Sequence, residues 1–306
     1  MRTRSLLSVV CLFTACQSTP SVGLAPLATN APATGAFVDA SYTRGPATAA
    51  PQVVAPDAAV AEVLRGALQC FETRRRVAVE NLANVGTPAY KRNWVQISMQ
   101  TVTAADEVAL AVPVVVDVTR DFRQGPLQAT GRPLDVAIDG EGLFAVIRHD
   151  GSTGYRRDGS FGLNADGKIV FANGSTAFSC GGNGEVLVPE ITVPSDTLEI
   201  SIDPDGRVSG RTAGSPDTST VFGTITINRF VNPAGLRCLD GQYLPTERSG
   251  SPTRDRPGLS GLGCLRQGYR ERSNVDGAQA MMELQELERQ HEWLVRVLQQ
   301  FGLVAP

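Results

Sequence analysis

Two stripes of apolar side chains at helical spacing, one near each end of the chain, constrain the fold more than any other feature. In the first, Val60, Leu64, Leu68, Phe71, Val79 and Leu82 step by threes and fours, with Arg75 interrupting. That spacing predicts an amphipathic helix ending near Asn84, stopped by Gly86-Thr87-Pro88. In the second, Met281, Leu284, Leu287, Leu294, Leu298 and Phe301 lie near a period of about 3.5 residues, and Glu292 can pair with Arg296 one turn on. Ser273 and Asp276 have capping-box spacing, so this second helix is expected to start after Ser273-Asn274-Val275-Asp276 and to run to about Phe301. The two helices can bury their stripes against each other. Apolar surface left over must then meet neighbouring molecules.

Between residues 94 and 232 the apolar period shortens toward two. Asp-Gly or Asn-Gly pairs recur at 139–140, 150–151, 158–159, 166–167, 173–174 and 205–206, and such pairs tolerate the positive φ of tight hairpin turns. The segments Leu143 to Arg148, Lys168 to Ala172, Leu198 to Ile202 and Val221 to Phe230 carry β-branched and aromatic residues and predict short antiparallel strands. The expected fold class is α+β, with N- and C-terminal helices forming a coiled-coil-like domain around a β-rich middle domain of antiparallel hairpins. The expected divisions are a lipoprotein-like signal segment at 1–15, a flexible tether at 16–56, the first helix and its linker at 57–93, the β-rich domain at 94–232, a connecting segment at 233–273 and the C-terminal helix at 274–302.

At the amino terminus, Arg2 and Arg4 precede an apolar run from Leu6 to Phe13 and then Thr14-Ala15-Cys16, the charged, apolar and small-residue zones of a secretory signal. An eight-residue apolar helix reaches only about 12 Å, far short of a bilayer core of about 30 Å. The residues before Cys16 resemble a bacterial lipobox, with Phe13 where leucine is usual, so Cys16 is the expected lipidation site and acyl chains there would anchor the protein to a membrane. An ordinary cleaved signal, or a start placed upstream of the true one, are the alternatives. Residues 17–56 are rich in Ala, Pro, Thr, Ser and Gly with only Asp39 and Arg44 charged, which reads as a tether with a reach of about 35 Å. Cleavage before Cys16 leaves Cys70, Cys180, Cys238 and Cys264, which could pair in three ways or stay as buried thiols, a Cys238–Cys264 bridge being one option.

Composition excludes several function classes. Against 31 Asp plus Glu stand 28 Lys plus Arg, a net charge of −3, so a nucleic-acid partner that must displace counterions from phosphate is not expected. Only two histidines, His149 and His291, are present, which leaves neither a His-based triad nor a multi-imidazole metal site to build. No phosphate-binding loop, zinc-protease helix, nucleophile elbow or dinucleotide fingerprint occurs, and no C-x-x-C. The Asp-Gly pairs lack the twelve-residue loop with a closing Glu that calcium requires. Asp135 and Asp139 flank one short strand, which does not make a general acid and base. The expectation is therefore no catalytic residue, no cofactor and no metal. The competing class is a secreted hydrolase using Asp135, Asp139 and Asp158.

A set of ordered blocks resembles the flagellar axial family of rod and hook subunits, most closely its distal rod type. The first block is Asn81-Leu82-Ala83-Asn84-Val85 followed by Thr87-Pro88-Ala89-Tyr90-Lys91-Arg92. The family has asparagine where Glu80 stands and glycine where Ala89 stands. Next come Gln124-Gly125-Pro126-Leu127, Thr130-Gly131 and the central block Leu134-Asp135-Val136-Ala137-Ile138-Asp139-Gly140-Glu141-Gly142-Leu143-Phe144, with Leu143 where phenylalanine is usual. Tyr155-Arg156-Arg157-Asp158-Gly159-Ser160-Phe161 and Asp166-Gly167 continue the pattern. Arg229-Phe230-Val231-Asn232-Pro233-Ala234-Gly235-Leu236 and Gln267-Gly268-Tyr269-Arg270-Glu271-Arg272-Ser273-Asn274-Val275 complete it.

The resemblance implies a structural subunit that polymerises through its terminal helices and β domain into a hollow rod, transmitting torque from motor to hook. It implies as partners other copies of the chain, neighbouring rod and hook proteins, and the periplasmic and outer-membrane rings, and it places the protein in the flagellar basal body within the periplasm. The motif residues are expected to shape helix ends, turns and subunit contacts. One conflict follows, because subunits of this family leave the cell through the growing channel without a cleaved signal. Either the start is misplaced, or the chain is a paralogue that reaches the envelope separately and acts as an adaptor, or it has left motility as an envelope-anchored lipoprotein.

Overall fold

The computed structural model describes residues 58–103, 109–148, 150–171 and 184–300. Cys16, the signal and tether, His149, Cys180, Asn173-Gly174 and Phe301 lie outside the described residues.

Helix α1 spans Ala58–Ala83 and helix α2 spans Gly277–Gln300. Their apolar faces meet in one cluster, Leu64, Ala67, Phe71 and Ala78 from α1 against Leu287, Leu294 and Leu298 from α2, with Leu68 and Leu284 partly buried at its margin. Two residues assigned to the stripes lie elsewhere, since Val79 and Met281 are each 48% exposed. The reason is the 100° step per residue: Ala78 and Ala280 occupy the packed face, which turns their successors outward. The start of α2 differs in the same detailed way. Asp276 is its N-cap, its Oδ1 accepting the N–H groups of Ala278 at 2.9 Å and Gln279 at 3.1 Å, while Ser273 accepts only the Val275 N–H at 3.2 Å.

Helix α1 has a second packed face, which covers a long antiparallel hairpin of β1 (Asn93–Thr103) and β2 (Ala109–Arg120). A β-carbon at Gly66 would stand 2.8 Å from both Val112 Cγ1 and the Pro113 carbonyl, so only glycine lets the helix approach this closely. Period and turn signals had assigned residues 94–120 to the β-rich middle, yet the hairpin belongs with the helices.

The β-rich body is antiparallel in its named pairings. Its largest sheet runs β14 (Arg237–Leu239), β15 (Gln242–Leu244), β6 (Thr153–Arg156), β5 (Leu143–Ile147), β9 (Glu185–Val188), β8 (Ile169–Phe171) and β7 (Phe161–Leu163), with β13 (Ile227–Arg229) bridging β5 to β16 (Thr253–Asp255). A three-stranded sheet follows, β10 (Thr197–Ile202), β11 (Arg207–Thr212) and β12 (Ser215–Thr224). Two smaller pairs join β4 (Val136–Asp139) to β17 (Cys264–Gln267) and β3 (Leu127–Ala129) to β18 (Tyr269–Glu271). Strand β5 is buried on both faces. Phe144 enters a cluster with Ile138, Phe161, Leu187 and Ile227, meeting the Phe161 ring edge-on at 5.0 Å, whereas Leu143 and Ala145 join Tyr155, Phe230 and Tyr243 on the other side.

Four expectations are corrected here. Residues 233–273 are no connecting segment, because β14 to β18 pair into the body's own sheets. Strands of three or four residues leave no readable alternation, which is why the pattern hid them. The strand expected over Val221–Phe230 is two, β12 ending at Thr224 and β13 starting at Ile227, because the Ile225 N–H turns away to the Gly206 carbonyl at 2.7 Å. Among the Asp-Gly pairs, Gly140, Gly151, Gly167 and Gly206 have positive φ as expected, but Gly159 does not. Its need is space: a β-carbon there would lie 1.9 Å from the Val136 carbonyl oxygen. Cys238 and Cys264 are free thiols on strands of different sheets, so the proposed bridge between them is not formed.

Candidate functional site

The chain crosses between the helical half and the body twice, at residues 121–126 and 271–276, and together with the α1–β1 loop at 84–92 these crossings form a neck where many of the polar motif residues gather. At the end of α1, Asn84 Nδ2 donates to the Glu80 carbonyl at 2.8 Å and Asn84 Oδ1 accepts the Thr87 hydroxyl at 3.0 Å, while Leu82 and Pro88 are half-buried and Ala83 is exposed. Asn81, one turn earlier, is buried and works as a two-way clip. Its Oδ1 accepts the Asn93 N–H at 2.8 Å and its Nδ2 donates to the Asn93 carbonyl at 2.9 Å, which satisfies both backbone polar groups at the first residue of β1. The Tyr90 hydroxyl donates to the same Oδ1 at 3.3 Å, and burial, with the Glu80 charge adding to it, pushes its pKa up to about 12.

The second crossing is held by Asn274. Its Oδ1 accepts the Arg92 N–H at 2.7 Å and its Nδ2 donates to the carbonyls of Asp121 at 2.8 Å and Arg123 at 3.0 Å, so one amide ties both crossings to the α1–β1 loop. Ser273 and Val275 beside it are buried. Arg92 also stacks over the Trp94 ring at 4.0 Å and donates to Glu283 of α2 at 2.6 Å.

Beneath these amides lies a charged cluster closed to solvent. Lys91, 1% exposed, donates from Nζ to Glu271 Oε1 at 2.7 Å and to the Arg123 carbonyl at 2.8 Å. Glu271 Oε1 also accepts the Gly125 N–H at 2.9 Å, and its Oε2 accepts Arg157 Nε at 2.5 Å. Arg157 then fans out to the carbonyls of Gly142 at 2.7 Å, Ile138 at 2.8 Å and Gly140 at 2.7 Å. Burial lowers the Lys91 pKa, and the Glu271 charge opposes that fall. Removing one partner from such a cluster strands a buried charge, at a cost on the order of 3–5 kcal/mol.

The remaining motif residues serve the body. Ala137 and Ile138 are buried in β4, Leu134 packs at the edge of the core, and Gly140 and Gly142 form the turn that Arg157 grips. Asn232, Pro233 and Gly235 make a short 3-10 turn, where Asn232 Nδ2 donates to the Arg248 carbonyl at 3.0 Å and Leu236 is buried behind it. The carboxylates of the hydrolase reading do not converge on an open site. Asp135 is fully buried and faces Arg270 at 3.6 Å and Arg132 at 3.9 Å, whereas Asp139 lies at the surface opposite Arg266. Asp158 accepts the Ser160 hydroxyl at 2.6 Å, and burial raises its pKa against the pull of that hydrogen bond and of Arg270.

Reading the sequence singled out Lys91 but missed Glu271 and Arg157 as its partners, although both stand inside the quoted blocks. The signal was masked, because each stands beside other charges: Arg92 next to Lys91, Arg156 and Asp158 next to Arg157, and Arg270 and Arg272 next to Glu271.

Residues 137–210 match the family model described as the flagellar hook protein FlgE/F/G D1 domain. The chain is 33% identical over 241 residues to the flagellar basal-body rod protein FlgG of Buchnera aphidicola subsp. Acyrthosiphon pisum, covering 74% of this chain and 88% of that relative. It is 33% identical over 244 residues to FlgG of Agrobacterium fabrum, covering 74% and 89% of the two chains. Similarity extends to the rod protein FlgF of Escherichia coli, 29% identical over 241 residues and covering 76% and 90%.

Proposed function

The chain belongs to the flagellar basal-body rod protein family, a family of structural proteins and not of enzymes, and on that premise we propose that it is a distal-type rod subunit. In this reading copies of the chain assemble head to tail into a helical tube, α1 and α2 forming a coiled-coil-like inner layer and the β-rich body an outer one. Heterologous contacts of this kind do not close on a two-fold axis and so propagate. The tube carries torque from motor to hook, with neighbouring rod and hook proteins at its ends and the periplasmic and outer-membrane rings around it. The observation that carries the reading is the 33% identity to FlgG over 241 residues, 88% of that relative. A half-finished helical core supports it: Met282 at 64%, Val116 at 63% and Trp293 at 43% exposure leave apolar surface for neighbours to cover. The test is deletion from Val275 onward. Loss of motility and of assembly with a folded β body supports the reading, and unchanged motility and sedimentation contradict it.

A second reading is favoured by the amino-terminal Arg2, Arg4 and Cys16 pattern: an envelope-anchored lipoprotein paralogue acting as an adaptor. Metabolic palmitate labelling of wild type and Cys16→Ala separates the two, since equal labelling removes the anchor.

A further inference from the structure

We propose that Glu271 is a positioning residue that sets the angle between the helical half and the β-rich body, and that a polymer of this chain reads that angle. The second clause rests on the rod-subunit reading, whereas the first stands on the geometry of one chain.

The argument begins with where the charges come from. Lys91 sits in the loop between α1 and β1, both of the helical half, and so belongs to that half. Arg157 follows β6 and is fixed to the β4–β5 turn through three carbonyls, and so belongs to the body. Each half thus offers one cation, and both cations end on the same carboxylate, at 2.7 Å and 2.5 Å. The side chains of Lys91, Glu271 and Arg157 are 1%, 1% and 4% exposed, so water cannot replace any of these contacts. The Glu271 carbonyl also accepts the Ala89 N–H at 2.9 Å, and its Oε1 takes the Gly125 N–H, so the residue touches both crossings and the α1–β1 loop.

The charge count explains why a carboxylate stands here. Two buried cations contact one anion, with Asp121 acting on Lys91 only through its charge, and the two cations would repel if the carboxylate were lost. Glu271 ends β18 and is held to the body by Arg157, so rotating the body about the neck must break its bond to Lys91. A second tie between the halves, Arg248 to Asp117 at 2.8 Å, joins side chains 70% and 32% exposed, where an ion pair holds an angle weakly. In a tube built from inner and outer contacts, a small rotation between the layers displaces every outer neighbour. A chain with a loose neck would therefore fold and yet fail to propagate.

The experiment uses the full chain with spin-labelled non-canonical residues replacing Glu72 on α1 and Asp217 on β12, both exposed. Double electron–electron resonance then reads the distance distribution between the halves in dilute monomer, for wild type, Glu271→Gln and the double variant Glu271→Gln with Lys91→Met. The double variant restores the wild-type excess of one cation. The expected result is a broadened and shifted distribution for Glu271→Gln, with circular dichroism unchanged, and a distribution at least as broad in the double variant, which relieves the charge without restoring the tie. If Glu271→Gln does not fold, the folded double variant carries the test, and a broadened distribution there supports the proposal. A wild-type distribution in either folded variant overturns it, as does unfolding of both. Isolated basal bodies report on the rod reading separately, because the distance measurement needs no assembled rod.

Discussion

The two halves of the molecule are built to different standards of completeness. Among the largest fully buried side chains, the body contributes Phe144, Phe161, Ile138, Ile169, Leu187, Ile191, Ile225, Ile227 and Leu265, and the helical pair only Leu287 and Leu294. Of the exposed large apolar residues among those described, eight, Val79, Trp94, Met99, Val116, Val118, Met281, Met282 and Trp293, lie on the helices or their hairpin and six, Ile147, Leu198, Val221, Val231, Leu239 and Leu259, on the larger body. In the rod-subunit reading neighbours finish the helix pair, which makes the helical half the place where assembly and stability coincide.

The largest effect expected is on the body. Phe144→Ala removes a ring at the centre of a core with nowhere to collapse, and denaturant unfolding should register a loss of about 3–5 kcal/mol. Leu294→Ala empties the equivalent place between α1 and α2, where the half-exposed pair can close on the gap, and the same measurement on monomer should register about 2 kcal/mol. Equal costs would break the comparison. Next is a gain. Ala89 holds a φ of 54° in the neck, a left-handed conformation that an L-residue adopts at a cost of about 1 kcal/mol, so Ala89→Gly should raise the melting temperature.

The smallest effect is a pH dependence confined to the body. Burial raises the Asp158 pKa above its ordinary 3.8, so the folded state holds that proton more tightly than the unfolded chain. Its contribution is fully present below 3.8 and is lost as the pH rises through the raised folded value. Asp158→Asn should therefore match wild type in acid and gain on it at neutral pH, as read by urea unfolding at several pH values. A constant difference across the range would show that the carboxylate titrates no differently in the folded body.

How much of this was legible in the sequence follows from what each signal encodes. The stripes over 60–84 and 281–301 placed two helices near Ala58–Ala83 and Gly277–Gln300, because an apolar face of that length has few other uses. They did not say which neighbour a given side chain faces, so Val79 and Met281 were set inside and lie outside. Strands near 143–147, 169–171 and 197–202 were legible between turn residues, whereas the three-residue strands of 237–271 carry no period to read. The buried cluster was the least legible. Lys91 and Glu271 are 180 positions apart, and a charged residue in isolation reads as surface until the fold brings its partner to it.

The most direct test of the rod-subunit account is quantitative mass spectrometry of purified basal bodies, with this chain measured against the other rod subunits. The account predicts many copies per basal body, retained after the outer membrane is stripped away. Absence from basal bodies of motile cells, with the purified chain remaining a monomer at every concentration tried, would contradict it.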